Sequence, residues 1–297
     1  MIKIGNCGNS WGIFREWREM QMPWRRFLDE FQSAGYKYLE MAPYGYLPTD
    51  AAILNEEFAS RGIVPVAMSI MHPFEQDENM DWAIERTHRI CRLMKDTGMK
   101  YFVYMDGAYQ DPDGNFLRPR SYDMDAWKKF VKNVTTLAKI ARDEYGLENV
   151  YHHHGGMCIE YDEQIDQFLD SMDSSLMNLL LDTGHYVYRN KDVCKFIRTH
   201  SDRIKYVHLK NVNQAVVDEV NEKDLSMNEA IWKRGIFMPI EEGSINFEEV
   251  RDALRDVNYD GYAMLECDIR TPDYDSLTPK AIRTRDYLQS INFGSLV

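Results

Sequence analysis

Four residues of metal-binding type each close a short apolar run. Asn149–His152 ends at His152, Asn178–Asp182 at Asp182, Ile204–His208 at His208 and Tyr262–Glu266 at Glu266. Two imidazoles and two carboxylates make a mixed nitrogen and oxygen donor set, which suits Mn²⁺, Zn²⁺, Co²⁺ or Fe²⁺. It suits Ca²⁺ less, because that ion takes all-oxygen shells. The segment Tyr151-His152-His153-His154-Gly155-Gly156 adds two further imidazoles. On a strand, residues two apart share a face, so His152 and His154 point into one mouth and His153 points away. His152 has the same offset from its run as the other three candidates, which makes it the first choice as ligand. His154 then lies nearer a substrate; these two roles can be exchanged. His185 follows the sixth run in Leu181-Asp182-Thr183-Gly184-His185, and Lys210 shares the inward face of His208. Glu40 closes the second run. The acid/base candidates are therefore His154, His185 and Glu40, and the substrate contacts Lys210, Asn9, Trp11 and His72. Tyr44 and Tyr46, like Trp11, could stack on a sugar ring or an aromatic aglycone.

Positioning these groups falls to an alternation of short β-rich runs with longer segments of helical period. The strands expected are Ile2–Cys7, Tyr36–Met41, Val64–Ile70, Tyr101–Met105 and the four named above. The helices expected are Trp24–Ala34, Ala51–Arg61, Met80–Thr97, Asp125–Tyr145, Asp162–Met172, Asp192–His200, Phe247–Val257 and Pro279–Ile291. Asp50 caps the second of these and Gly62 stops it; Gly98 and Gly146 stop the next two. Eight strand–helix units in 297 residues predict a closed (β/α)8 barrel, with a doubly wound open sheet as the competitor. Gly5, Gly8 and Gly12 do not make the phosphate-turn spacing that an open dinucleotide-binding sheet needs. No Pro-, Gly- or Ser-rich linker divides the chain, so one domain over residues 1–297 is expected. Two insertions, Asp106–Met124 and Asn211–Asn246, follow strands four and seven, at the ends where barrel enzymes build their sites. The second holds a small helix near Met227–Lys233.

Composition narrows the partners. With 35 Lys and Arg against 48 Asp and Glu, the net charge of −13 argues against nucleic acid or an anionic membrane as the main partner. No apolar stretch reaches the length of a membrane span, and the N-terminal segment reads as a strand and a turn rather than a signal peptide. Five scattered cysteines without a C-x-x-C pair indicate neither a disulfide framework nor a thiolate zinc site; a reducing cytoplasm fits best.

Several segments resemble a known family. They are Asn9-Ser10-Trp11-Gly12, Pro43-Tyr44-Gly45-Tyr46-Leu47-Pro48-Thr49-Asp50, the histidine run with Glu160, Leu181-Asp182-Thr183-Gly184-His185, Val207-His208-Leu209-Lys210-Asn211, Pro239-Ile240-Glu241-Glu242-Gly243 and Leu265-Glu266. The chain resembles the sugar isomerase/epimerase barrels related to xylose isomerase, and within them inosose dehydratases and the large subunits of C-glycoside deglycosidases. It departs from them in places. The wider epimerases carry Glu where this chain has His152, and the dehydratase pattern has His-Pro-His where this chain has three histidines. The resemblance implies a metal-dependent lyase. It would abstract the proton α to the ketone of a keto-cyclitol or 3-oxo-sugar and expel a β-substituent. A keto-sugar isomerase or epimerase is the alternative, and a non-catalytic sugar-binding barrel the reading from another class. The metal expected first is Mn²⁺, ahead of Co²⁺, Zn²⁺ or Mg²⁺. The partners implied are a small keto-sugar or keto-cyclitol and either a smaller β-type subunit or further copies of the chain.

Overall fold

All eight apolar runs become strands of one closed sheet in the computed structural model, which describes residues 1–14, 21–111, 113–268 and 273–296. The strands are β1 (Lys3–Cys7), β2 (Tyr38–Glu40), β3 (Val64–His72), β4 (Tyr101–Asp106), β5 (Glu148–His152), β6 (Asn178–Asp182) and β7 (Ile204–Leu209). After a two-residue pair of strands, β8 (Asn211–Val212) and β9 (Phe237–Met238), β10 (Tyr262–Leu265) completes the barrel. Every barrel pairing is parallel, and the order around the circle is β1-β10-β7-β6-β5-β4-β3-β2. Parallel neighbours require crossover segments, and the crossovers carry helices. The chain is thus a single-domain (β/α)8 barrel rather than an open sheet.

The helices start and stop where short-range chemistry dictates. Asp50 accepts hydrogen bonds from the Ala52 and Ile53 amides at 2.8 and 3.2 Å, and Asp123 does the same for Asp125 and Ala126. Gly62, Gly98 and Gly146 end their helices with φ of +65°, +75° and +73°, a conformation that costs glycine nothing. Along Met80–Thr97, Ala83, Thr87, Ile90, Cys91 and Met94 recur every three or four residues and are buried. That stripe lays the helix against the sheet.

Three differences from expectation have clear causes. The first is a helix, Thr183–Arg189, that begins directly at the end of β6; its sequence, Thr-Gly-His-Tyr-Val-Tyr-Arg, has poor intrinsic propensity and is held by packing. The second is a helix, Gln214–Lys223, in the second insertion, ahead of the expected Met227–Trp232. The third is β3, which runs two residues further than expected, to His72.

The insertions are pinned by charge. Arg118 pairs with Glu75 at 2.7 Å and Asp106 at 3.0 Å, and Arg120 joins Asp224, linking one insertion to the other. Arg189 approaches Glu160 at 3.3 Å where both are buried.

The barrel lumen explains how the site is held. Val150, Leu180, Tyr206 and Met264 fill it from β5, β6, β7 and β10, packed with Tyr38 and Tyr101. Tyr101 stacks on Tyr206 at 5.0 Å. By the two-residue period of a strand, the next inward positions are His152, Asp182, His208 and Glu266.

Candidate metal centre

Those four residues form one cluster. One ligand atom from each lies within 4.8 Å of all the others. His208 Nδ1 is 2.6 Å from Glu266 Oε2 and 3.8 Å from Asp182 Oδ2, and His152 Nε2 is 4.0 Å from Asp182 Oδ2. Three of these atoms, Asp182 Oδ2, His208 Nδ1 and Glu266 Oε2, are buried and have no hydrogen-bond partner. Unsatisfied polar atoms in a core are costly, and three converging on one point fit a cation between them.

The surroundings fix the tautomers. A carbonyl can only accept, so the contact of His152 Nδ1 with the His153 carbonyl places the proton on Nδ1 and turns a bare Nε2 toward the cluster. Glu40 Oε2 accepts from His208 Nε2 at 2.8 Å and from the Tyr206 hydroxyl at 2.7 Å, so Nδ1 is the His208 nitrogen that would face an ion; without one, burial opposes a charge on the ring but Glu40 and Glu266 outweigh it and hold the imidazole well above the usual histidine range. A carboxylate behind a ligating histidine orients it and raises its basicity. Burial lifts the Asp182 carboxyl to about 6 against the pull of Lys210. At Glu266 burial is outweighed by Lys210 and His208, which hold it well below the usual carboxylate range.

One layer further out, again two residues on, come His154, Gly184, Lys210 and Asp268. Lys210 is buried, with Nζ 2.9 Å from Asp268, 3.0 Å from His185 Nε2, 3.5 Å from Glu266 and 3.7 Å from Asp182. A Cβ on residue 184 would lie 2.7 Å from Lys210 Cγ, so glycine there makes room for the lysine stem. His154 faces the cavity. Its Nδ1 donates to the Gly155 carbonyl at 2.7 Å, which leaves Nε2 as a bare lone pair. Burial and the neighbouring Lys210 push it down to about 4, so the imidazole is neutral near pH 7.

The other candidates fall elsewhere. Glu40, read from sequence as an acid/base, has Oε2 committed to His208 and Tyr206. His185 is fully buried under Phe237, with its ring centroid 3.5 Å from that of His154; both its nitrogens are engaged, by the Gly155 amide and Lys210. It supports His154 rather than facing a substrate. Trp11 does not stack on a ligand: the turn Gly8–Trp11 carries it into the helix layer, against Phe27, Phe31 and Tyr36. Tyr46 is likewise in the core, its hydroxyl bonded to the Met22 carbonyl. His72 stacks behind Trp82 at 5.4 Å and does not line the cavity. Asn9 does line it, and donates to Glu266 at 2.7 Å and Asp268 at 3.1 Å. Asp268 escaped the sequence reading, although its spacing of two from Glu266 was the available signal.

Two predictions arise here. Glu40→Gln keeps the shape but removes the charge behind His208. Metal affinity, titrated calorimetrically with Mn²⁺, should fall roughly tenfold, the lower end of such effects; unchanged affinity would show that Glu40 does not tune the ligand. His153 faces the helices, edge-on to Tyr186, and burial pushes it down to about 3. The unfolded chain takes up a proton below about 6.5 that the folded imidazole refuses, so this contribution to stability is complete above 6.5 and is lost as pH falls toward 3. Between pH 7 and pH 5, His153→Phe should lose about 2 kcal/mol less stability than the parent in urea unfolding. Equal losses would place the titration elsewhere.

Comparisons with known proteins agree with this architecture. An inosose dehydratase of Bacillus licheniformis is 27% identical over 296 residues, 96% of each chain. One from Clostridium perfringens is 33% identical over 165 residues, 56% of this chain, a stretch that spans only about half (54%) of that relative. A crystal structure of the IolI protein with a bound zinc atom superposes with a TM-score of 0.73 at 16% identity, covering 98% of both chains. The profile of the xylose isomerase-like TIM barrels matches residues 28–291, nearly the whole of the sequence, and the chain belongs to that family.

Proposed function

We propose that the protein is a metal-dependent lyase that removes the proton α to the ketone of a keto-cyclitol or 3-oxo-sugar and eliminates the β-substituent. The observation that carries this reading is the bare, neutral Nε2 of His154 on the cavity wall, beside the four-residue cluster. His152, Asp182, His208 and Glu266 would hold the ion, with Mn²⁺ as the first choice. Bound there, a divalent ion supplies Lewis-acid stabilisation of negative charge developing on the carbonyl oxygen. His154 Nε2 accepts the α-proton. With its affinity for protons pushed down to about 4, it is a weaker base than free imidazole, so abstraction depends on charge stabilisation next to it. Lys210, buried just behind the wall, adds a fixed positive charge, and Asp268 and the Asn9 Oδ1 present acceptors to the hydroxyls. The inosose dehydratase relatives support elimination of water; the C-glycoside deglycosidase resemblance supports expulsion of an aglycone.

The test is a panel of 2-keto-myo-inositol, a 3-oxo-C-glucoside and free keto-hexoses, with Mn²⁺ or with chelator, read by mass spectrometry. Metal-dependent loss of one water from the inosose, or of aglycone from the glycoside, is the expected result. A new isomer of unchanged mass would replace the lyase with an epimerase. No turnover of any member would reject the catalytic reading.

A further inference from the structure

A second group of donors lies on the far side of His208 from the four-residue cluster. Cys7 Sγ, a Glu40 carboxylate oxygen and a His208 ring nitrogen are all within 4.8 Å of one another. Sγ is 4.0 Å from His208 Nε2, and Nε2 is 2.8 Å from Glu40 Oε2. The first cluster uses the other nitrogen, Nδ1, which faces Glu266 and Asp182. The imidazole therefore stands between two donor groups, one at each nitrogen.

Barrel register builds this group as it builds the first. Cys7 closes β1 and Glu40 closes β2, and the two residues are paired across the parallel ladder. His208 comes from β7, with β10 alone between β7 and β1. Gly5 lies against Met264 in the lumen, and Cys7, two residues on, lines the cavity together with Glu40 and His208. An ion in the cavity can reach all three.

The donor chemistry differs from that of the first cluster. Sulfur, oxygen and nitrogen from Cys, Glu and His make a set that suits Zn²⁺, or Co²⁺ in the same geometry, whereas Mn²⁺ favours oxygen. Donors on one tetrahedral Zn²⁺ sit about 3.3–3.6 Å apart, and the separations of 4.0 and 2.8 Å here fall on either side of that. Burial and the Glu40 charge push the Cys7 thiol well up, so without an ion the sulfur keeps its proton. A coordinating ion removes such a proton outright. A site with one thiolate needs no C-x-x-C pair, so cysteine spacing carries no sign of it.

We propose that Cys7, Glu40 and His208 Nε2 form a second metal site, which takes Zn²⁺ or Co²⁺ and stays empty with Mn²⁺. As the ion binds, the Cys7 Sγ–H and His208 Nε2–H bonds give up their protons to water, and the freed electron pairs turn to the ion. Glu40 exchanges its hydrogen bond from His208 for the cation. With both sites filled, His208 bridges two ions as an imidazolate. The site stands apart from the lyase reading and is tested without turnover.

Metal-free protein is titrated with Mn²⁺ and, separately, with Co²⁺, by calorimetry and absorption. The expected result is one equivalent of Mn²⁺ per chain and two of Co²⁺, one of which brings the intense near-ultraviolet band of sulfur-to-cobalt charge transfer. Cys7→Ser and Cys7→Ala should each lose that band and the second Co²⁺ equivalent, and keep the single Mn²⁺ equivalent. Co²⁺ binding that stops at one equivalent in the parent would overturn the site. So would a second equivalent without the band, or a band that survives both variants. Loss of the Mn²⁺ equivalent in both folded variants would place the sulfur in the first centre and also overturn the separate site.

Discussion

Asp182→Asn is expected to lower kcat/KM by roughly 10³-fold and to strip the divalent ion, since loss of even one preorganised charge-stabilising group costs 10²–10³-fold. The protein should stay folded. Asp182 does two jobs with two oxygens: Oδ2 points into the cluster, and Oδ1 accepts from the His185 amide at 2.7 Å, capping the helix Thr183–Arg189. Asparagine keeps the cap and removes the charge. Burial has already lifted this carboxyl to about 6, so the metal-free Asn variant should melt no lower than metal-free parent. Asp182→Ala loses the cap as well and should be about 1 kcal/mol less stable. Metal content by elemental analysis and turnover of 2-keto-myo-inositol decide the matter. Full activity or a full complement of metal in either variant would remove Asp182 from the centre.

The second large effect is expected at His154. His154→Ala should reduce kcat/KM by about 10²–10⁴-fold, the usual contribution of a positioned base, with metal affinity unchanged, because the ring is one layer above the ligands. The direction of its titration gives an independent check. Activity needs the unprotonated imidazole, so with saturating metal the acid limb due to this group should lie below 6.5, toward 4. His185→Ala should act more weakly and through His154, since His185 braces that ring from behind. If His185→Ala abolishes turnover while His154→Ala is near normal, the base has been assigned to the wrong imidazole.

Much of this geometry was legible in the chain, for a simple reason. Four consecutive apolar runs each closed on a donor residue, and the period of two turns such runs into layers, first of packing and then of ligands. The same period reached His154 and Lys210, and it reached Asp268 too, had it been carried two residues past Glu266. Elsewhere local patterns misled. His72 looked inward because β3 was expected to stop at Ile70; the strand continues, and Met71 takes the inward position. Trp11 follows the end of β1 and was expected to face a substrate, yet the turn Gly8–Trp11 sends it outward. Glu40 was correctly placed near the site, but its tie to His208 and Tyr206 depends on strands distant in sequence. The helix Gln214–Lys223 has an apolar face that becomes visible only when its docking surface is known.

The ligand layer and the layer above it come wholly from β5, β6, β7 and β10 and the residues just past their ends. The first half of the chain contributes Cys7, Asn9 and Glu40 around the centre, and otherwise wall: Tyr44, Ser69, Met71, Trp82, Val103 and Met105. The ligands thereby come from one half of the sequence, whereas the cavity wall is shared, with Met227, Ile231 and Trp232 of the second half completing it. Substitutions between residues 44 and 105 can drift, exchanging one guest for another, while the chemistry inherited from the second half stays untouched.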